Sequence, residues 1–317
     1  MSAMSPPALR MSGQDWLLLA ILSILWGGTF FFAKIALPQI PPITLVLGRV
    51  WIAALTLLIV LKASGQALPA SGKVWAAFFV LGLINNVLPF NLIFWGQQQM
   101  PREVAASVAS ILNATTPVFG VIIAHFLTLD EKLTPRRGLG VSLGFLGVCV
   151  LLAPRLFGAS GQDAPPVPAV LSCLAASCIY VFGGLYARRF KAMGVAPLQL
   201  AFGQLAASSV MMAPIAGAMD RPWLLPPPSL AAILALCALA VLSTALAYVR
   251  YFRILARAGA TNLLLVTVLI PVSAMLLSAA FLGEKLGFIH LAAMTLSGLG
   301  LAAIDGRLIA YVSRSSA

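Results

Sequence analysis

Apolar residues run in blocks of about twenty along almost the whole chain, and short polar or proline-rich intervals separate the blocks. A block of that length crosses the ~30 Å hydrocarbon core of a bilayer as a helix. The pattern predicts ten such helices, at about 16–37, 42–62, 74–97, 103–128, 138–154, 168–190, 196–217, 229–252, 260–282 and 287–305. Turn chemistry sits between them. Pro38, Pro41 and Pro42 close the first helix, Asp130–Arg137 is an aqueous loop, 155–167 is a linker rich in Gly, Ser and Pro, and Asp220–Pro228 is rich in proline. Arg10 precedes the first block, which runs past the length of a signal-peptide core without a clear cleavage site. The first block therefore reads as an uncleaved span, and the expected class is an all-α integral membrane protein.

The pattern also repeats. Ser107-Val-Ala-Ser-Ile-Leu-Asn-Ala-Thr-Thr-Pro117 is apolar enough for hydrocarbon, yet places Asn113, Thr115 and Thr116 directly before a proline. A slide of 154 positions lays it on Thr261–Pro271, with Pro117 on Pro271 and Ala106 on Ala260. A slide of 155 lays Pro42 on Pro197, Gly48 on Gly203 and Lys34 on Arg189; a slide of 153 lays Glu131 on Glu284 and Gly147 on Gly300. Mid-span prolines free backbone carbonyls and bend helices. Lipid tolerates this only where protein or a polar cavity re-satisfies the backbone. Pro117 and Pro271 are therefore expected as paired helix kinks. Each copy holds five spans, an odd number, so the second must enter the membrane from the opposite side. The expected architecture is two inverted five-helix repeats around a central cavity. Residues 1–15 form a cytoplasmic tail, 16–156 the first repeat, 157–306 the second, and 307–317 a second cytoplasmic tail.

Composition agrees with the pattern. The chain is 61% hydrophobic and 9% charged, against about 25% charged in soluble domains. The net charge of +12 does not form a nucleic-acid face, because the basic residues lie between spans. Fourteen Lys and Arg fall on the side of the two termini and four (Arg102, Arg155, Arg221, Lys285) on the other, which places both termini in the cytoplasm of a cell-membrane protein. Trp16, Trp51, Trp75 and Trp223 near span ends fit an interfacial belt. The four cysteines lie in apolar runs and read as buried thiols.

Several spans carry polar groups that need partners in hydrocarbon. The neutral set is Asn85, Asn86, Asn91, Asn113, Thr115, Thr116 and Gln204. Asn85, Asn86, Asn113, Thr116 and Gln204, with Trp26, Trp95, Tyr180 and Tyr248, are the candidate substrate-binding residues; some of the amides would instead bridge helices. Lys34 and Arg49 are in-span cations with two open readings. They could meet a substrate carboxylate, or Lys34 snorkels to the interface and Arg49 braces freed carbonyls. His125 reads as a packing residue. All eight acidic residues fall in loops or near helix ends. No G-x-S-x-G, H-E-x-x-H or Walker-type loop is present, so no catalytic site, cofactor or metal is expected, nor an ATPase. The expected partners are the lipid bilayer and a small-molecule substrate, not nucleic acid, and a monomer is plausible.

With these residues in place, the chain resembles the drug/metabolite transporter superfamily in its two-repeat EamA branch. The resemblance rests on Trp26-Gly-Gly-Thr-Phe30, Arg49, Ala105-Ala-Ser107 with Asn113–Pro117, Glu131, and the second-half set Ala260-Thr261, Pro271 and Gly283-Glu284. It covers roughly 16–305. It implies ten helices around a pathway, alternating access and small-metabolite cargo, with amino acids or related polar solutes in the export direction as the leading reading. A drug or metabolite importer of the same fold is the alternative, and an intramembrane enzyme is the rival from another class. The small four-helix members of the superfamily depend on a first-helix glutamate for proton coupling, and the first span here has no acid.

Overall fold

The computed structural model describes residues 12–127, 134–156, 165–251, 253–254, 263, 266–284 and 287–305. Among these there are ten helical spans: α1 Gly13–Ala36, α2 Pro42–Ala63, α3 Gly72–Gln99, α4 Ala105–Leu127, α5 Pro135–Leu156, α6 Val167–Ala187, α7 Pro197–Met219, α8 Leu230–Tyr251, α9 Val266–Leu282 and α10 Phe288–Asp305. Seven are long and apolar enough to cross a membrane, and α5, α9 and α10 contain shorter apolar stretches. The protein is an all-α, multi-pass membrane protein. Glu131, Ala260, Thr261 and Lys285 lie outside the described residues.

Local chemistry sets where the helices begin. Ser12 and Asp15 form a reciprocal capping box at α1: the Asp15 N–H donates to the Ser12 Oγ at 3.2 Å, and the Ser12 N–H donates to the Asp15 carboxylate at 3.0 Å. Proline opens α2 and α7, where its missing N–H costs nothing. The α4 span breaks at Ala114–Thr115, and Pro117 is the second residue of its continuation. Pro271 lies inside α9, which runs continuously through it. The sequence places these prolines in register, but they meet different backbones. One starts a helix segment and the other sits within one.

The helices pair in a regular way. The main contacts are α1 with α8 and α9, α2 with α7 and α8, α3 with α6 and α7, α4 with α6 and α9, and α5 with α10. Small residues permit the close crossings. A Cβ on Gly300 would lie 2.6 Å from the Gly140 carbonyl oxygen, so the Gly140–Gly144 pair seats α10 on α5. Gly27 meets a helix, since its Cβ would lie 2.8 Å from the Ala274 nitrogen of α9. Cys173 is buried as expected. Cys178 and Cys237 are half-buried and Cys149 is exposed, so three of the four depart from the expected burial, because an apolar span buries only part of its circumference against other helices.

The end of the bundle distal to α1's start is tied together by side chains. Thr44 donates twice to the Asp220 carboxylate, from its N–H at 2.9 Å and its hydroxyl at 2.7 Å, which caps α2 from the end of α7. The Ser229 N–H donates to Gln39, the Gln97 amide donates to the Phe30 carbonyl, and Gln98 reaches the Leu37 carbonyl. The strongest tie is Glu284. Its carboxylate pairs with the Lys34 ammonium at 2.9 Å and accepts from the Ala106 N–H at 3.0 Å, the Ser107 N–H at 3.2 Å and the Ser107 hydroxyl. One carboxylate thus joins the end of α1, the end of α9 and the N-terminus of α4, where the helix dipole favours an anion. Glu284 reads from sequence as a loop-edge acid, yet its side chain is fully buried.

Removing one partner of a buried ion pair costs about 3–5 kcal/mol, because the other charge remains buried and unpaired. Lys34 keeps some exposure, so the low end of that range applies here. Lys34→Met and Glu284→Gln are each expected to lower the unfolding midpoint in detergent, and the double variant to lose less than the two single losses combined. A thermal double-mutant cycle measures this, and strictly additive losses would show that the pair is not coupled.

Candidate functional site

Two helices depart from α geometry at matching places. Leu83–Val87 of α3 and Val241–Leu246 of α8 are π-helical turns. A π turn widens the helix and offsets its hydrogen-bond ladder, and such turns concentrate at functional sites. Both carry polar residues in mid-span: Asn85 and Asn86 in α3, Ser243 and Thr244 in α8. The Thr244 hydroxyl donates to the Leu239 carbonyl at 2.9 Å, taking up an acceptor at the distorted turn.

Each π turn bonds to the helix opposite. The Asn85 amide donates to the Gln204 side-chain oxygen at 2.9 Å and makes a longer contact of 3.4 Å to the Tyr248 hydroxyl. The Arg49 Nε–H donates to the Thr244 hydroxyl at 2.9 Å. The 155-residue slide that lays Gly48 on Gly203 also lays Arg49 on Gln204. Arg49 of α2 therefore meets the π turn of α8 as Gln204 of α7 meets the π turn of α3. Gly183 of α6 completes the seat for Asn85, since a Cβ there would lie 2.8 Å from the Asn85 Oδ1.

Around this core stand aromatic rings. The Arg49 guanidinium lies 3.7 Å from the Phe90 ring centroid and 5.6 Å from that of Phe94. The Tyr180 and Tyr248 hydroxyls are within electrostatic range of it. Trp26 packs on Tyr251 at 5.6 Å between centroids. Trp26, Asn85, Tyr180 and Tyr248 are only half-buried. Arg49 is 5% exposed. An arginine costs about 2.5–3.5 kcal/mol at the centre of a spanning helix on insertion scales, and that is an upper bound for Arg49, two turns inside α2. A desolvated cation–π contact returns about 2 kcal/mol or more, and the bond to Thr244 adds to that. The charge is thus tolerated, but no carboxylate is paired with it among the described residues.

Arg49, Asn85, Tyr180, Gln204 and Tyr248 are therefore brought together, while Trp26 packs on Tyr251 and the remaining candidates bond elsewhere or have no bond to this cluster among the described residues. Trp95 is 42% exposed and has no bond or ring contact with the cluster among the described residues. Asn86, one residue from Asn85, turns toward α7 and donates to the Ser208 hydroxyl at 3.0 Å as a helix bridge. Thr116 donates to the Asn113 carbonyl at 2.7 Å and Thr115 to the Leu112 carbonyl at 2.6 Å, so these hydroxyls satisfy the break in α4. The Asn113 Oδ1 is buried without a hydrogen-bond partner among the described residues. Ala114 from the break and Pro271 border the same cavity of about 190 Å³ between α4, α9 and α10, which is lined mostly by apolar side chains such as Ile111, Met294 and Leu301. Lys34 belongs to the distal tie. The candidate list lacked Glu284, Thr244, Phe90 and Gly183. Of these, Glu284 carried a signal in the slide that lays Glu131 on it.

This arrangement has relatives. The chain is 26% identical over 283 residues to an "Uncharacterized transporter" of Archaeoglobus fulgidus, covering 88% of this chain and 92% of that one. It is 28% identical to the "Uncharacterized transporter YvbV" of Bacillus subtilis, covering 88% of each. It is 27% identical to the "Uncharacterized inner membrane transporter YedA" of Escherichia coli, covering 85% of this chain and 83% of that one. A crystal structure at 21% identity superposes with a TM-score of 0.63 over 92% of this chain and 98% of the other, a likeness of fold. The model of the EamA-like transporter family matches residues 15–153 and again 167–304. Two matches of one family model cover most of the chain, and the protein belongs to the EamA-like transporter family.

Proposed function

We propose that the protein is a secondary transporter that moves small polar metabolites, amino acids and their relatives foremost, out of the cell by alternating access. The observation that carries this reading is the polar cluster of Asn85, Gln204, Tyr248 and Arg49, held at two π turns inside a bundle whose surface faces lipid. Such a cluster is costly in a protein that only spans a membrane, and it is what a midplane binding site requires. Two related halves, 16–156 and 157–306, find support in the double family match. They find more in the helix pairing. Exchanging helix n for n+5 turns α1–α9 into α6–α4, α1–α8 into α6–α3 and α2–α8 into α7–α3, while α2–α7, α4–α9 and α5–α10 map onto themselves. That is the pattern of a pseudo-two-fold axis. The ties at the distal end support the export direction. With the termini in the cytoplasm, a carrier shut on the distal side awaits cargo from within.

The topology has a direct test. A reporter fused after Ala317 is expected to read cytoplasmic, and one placed near Gly161 external. An external C-terminus would overturn the orientation.

Neighbouring asparagines separate binding from bridging. Asn85→Leu is expected to abolish flux of a transported solute in proteoliposomes while the protein still inserts. Asn86→Leu removes a bridge to Ser208 worth about 0.6–2 kcal/mol and is expected to lower detergent stability while flux persists. Equal flux through Asn85→Leu and wild type would remove the cluster from the pathway.

Coupling follows from the carboxylates. Asp15, Asp220 and Glu284 are each occupied at helix ends. Solute flux is therefore expected to run down its own gradient, unchanged by an imposed pH gradient across proteoliposomes. The same assay, with a panel of labelled metabolites loaded on either side, tests cargo and direction. Strict dependence on the proton gradient would sink the uncoupled mechanism.

A further inference from the structure

The sequence leaves Lys34 and Arg49 as equal candidates for contact with a substrate carboxylate, and the structure separates them. Lys34 is neutralised by Glu284 at 2.9 Å and has no charge left to offer. Arg49 is different. Among the described residues its hydrogen-bond partner is the neutral Thr244 hydroxyl, bonded through Nε, and no carboxylate pairs with it. Its planar face is spent on Phe90. The two terminal amino groups, the ends of the fork that fit a carboxylate, have no acceptor among the described residues.

We propose that Arg49 is the anion-recognition residue of the transport site and that the cargo is a small monocarboxylate. This rests on the transport reading above and narrows its substrate class. The argument is one of charge balance in a medium of low dielectric. A buried guanidinium without a counter-ion is unfavourable while the site is empty, and cargo bearing a single negative charge removes that penalty on binding. A guanidinium holds a carboxylate by two parallel N–H···O bonds, a geometry an ammonium cannot match. The rest of the site fits the remainder of such a molecule. Asn85, Gln204 and Tyr248 offer neutral donors and acceptors, and Trp26, Tyr180 and Tyr251 offer apolar faces. No acidic side chain joins this cluster among the described residues, so nothing there matches a cargo ammonium with a full charge. A net anion, such as an N-acylated amino acid or a hydroxy or keto acid, balances the site better than a free zwitterion does.

Thermal unfolding of the purified full-length protein tests this with monocarboxylates from acetate to phenylacetate, each beside its primary amide. At least one carboxylate is expected to raise the midpoint by about 2 °C or more at millimolar concentration, while its amide does not. Arg49→Met is expected to weaken that carboxylate's binding about 10- to 150-fold, the loss that follows from removing a charge-assisted bond. Arg49→Lys is expected to retain part of the binding. Without ligand, Arg49→Met is expected to unfold at the wild-type temperature or above, because it deletes an unbalanced charge. Four results would overturn the assignment: no carboxylate stabilises the wild type, an amide does as well as its acid, Arg49→Met responds like wild type, or empty Arg49→Met unfolds well below wild type as loss of a brace would demand. Proteoliposome flux separates the two levels of the argument. A solute that moves equally through Arg49→Met leaves the transport reading standing and removes this one. Carboxylate binding without flux of any solute does the reverse.

Discussion

Hydrocarbon offers no hydrogen bonds, so every polar group inside the bundle must find its partner in the protein. That constraint shapes this molecule more than apolar packing does, since lipid tails are as apolar as leucine and give helices little reason to associate. What joins the helices is close approach through small residues and a limited set of polar bonds. The bonds fall in two layers. One is the distal tie, where Glu284 gathers α1, α4 and α9. The other lies deeper, where Arg49 and Gln204 reach across to the π turns of α8 and α3.

The two layers suit different tasks. Around Glu284 the donors are an ammonium, two backbone N–H groups at a helix start and a hydroxyl. Such a carboxylate has its acceptor sites filled and holds three helix ends in one arrangement. The deeper layer is under-supplied. Arg49 keeps donors without acceptors, and the Asn86 Oδ1 and Ser243 hydroxyl are buried without partners among the described residues. Buried polar groups left unsatisfied raise the energy of the empty state. A solute that satisfies them is drawn in, and a bundle tied firmly at one end can loosen at the other to admit it. The π turns assist, because a widened turn already has an irregular ladder and changes its bonding at lower cost than a regular helix.

The number, order and family of the spans were legible in the sequence because they rest on averages over about twenty residues, which single side chains do not disturb. The repeat was legible for the same reason, and the slide by 155 held a further correspondence, Arg49 with Gln204, that takes on meaning only once both are seen to reach a π turn. Facing was not legible. Asn85 and Asn86 are adjacent in sequence and about 100° apart on a helix. One bonds to Gln204 beside Tyr248 and the other bridges to Ser208. Trp26 and Trp95 look alike in composition, yet one packs at a tilt on Tyr251 and the other is exposed. Helix rotation is decided by tertiary packing, and a π turn shifts the register further. Glu284 was hidden by a different cause. A residue after a helix and beside a glycine reads as a solvated loop, and its burial depends on two helices distant in sequence.

The contrast between Lys34 and Arg49 shows how position assigns a charge its role. Both are cations near the same end of their spans. Lys34 lies at the end of α1, where the chain of α9 emerges with Glu284 and the N-terminus of α4 supplies further donors, so the ammonium becomes one member of a structural cluster. Arg49 lies two turns inside α2, and no loop carboxylate among the described residues pairs with it. Its neighbours are therefore set by the facing spans, which supply Phe90, Phe94, Thr244 and two tyrosines. Aromatic faces and hydroxyls can host a guanidinium but cannot neutralise it. A charge that is hosted and not neutralised is a standing demand for an anion, and in a bundle that belongs to a transporter family this is the physical basis for the proposal that the cargo supplies it.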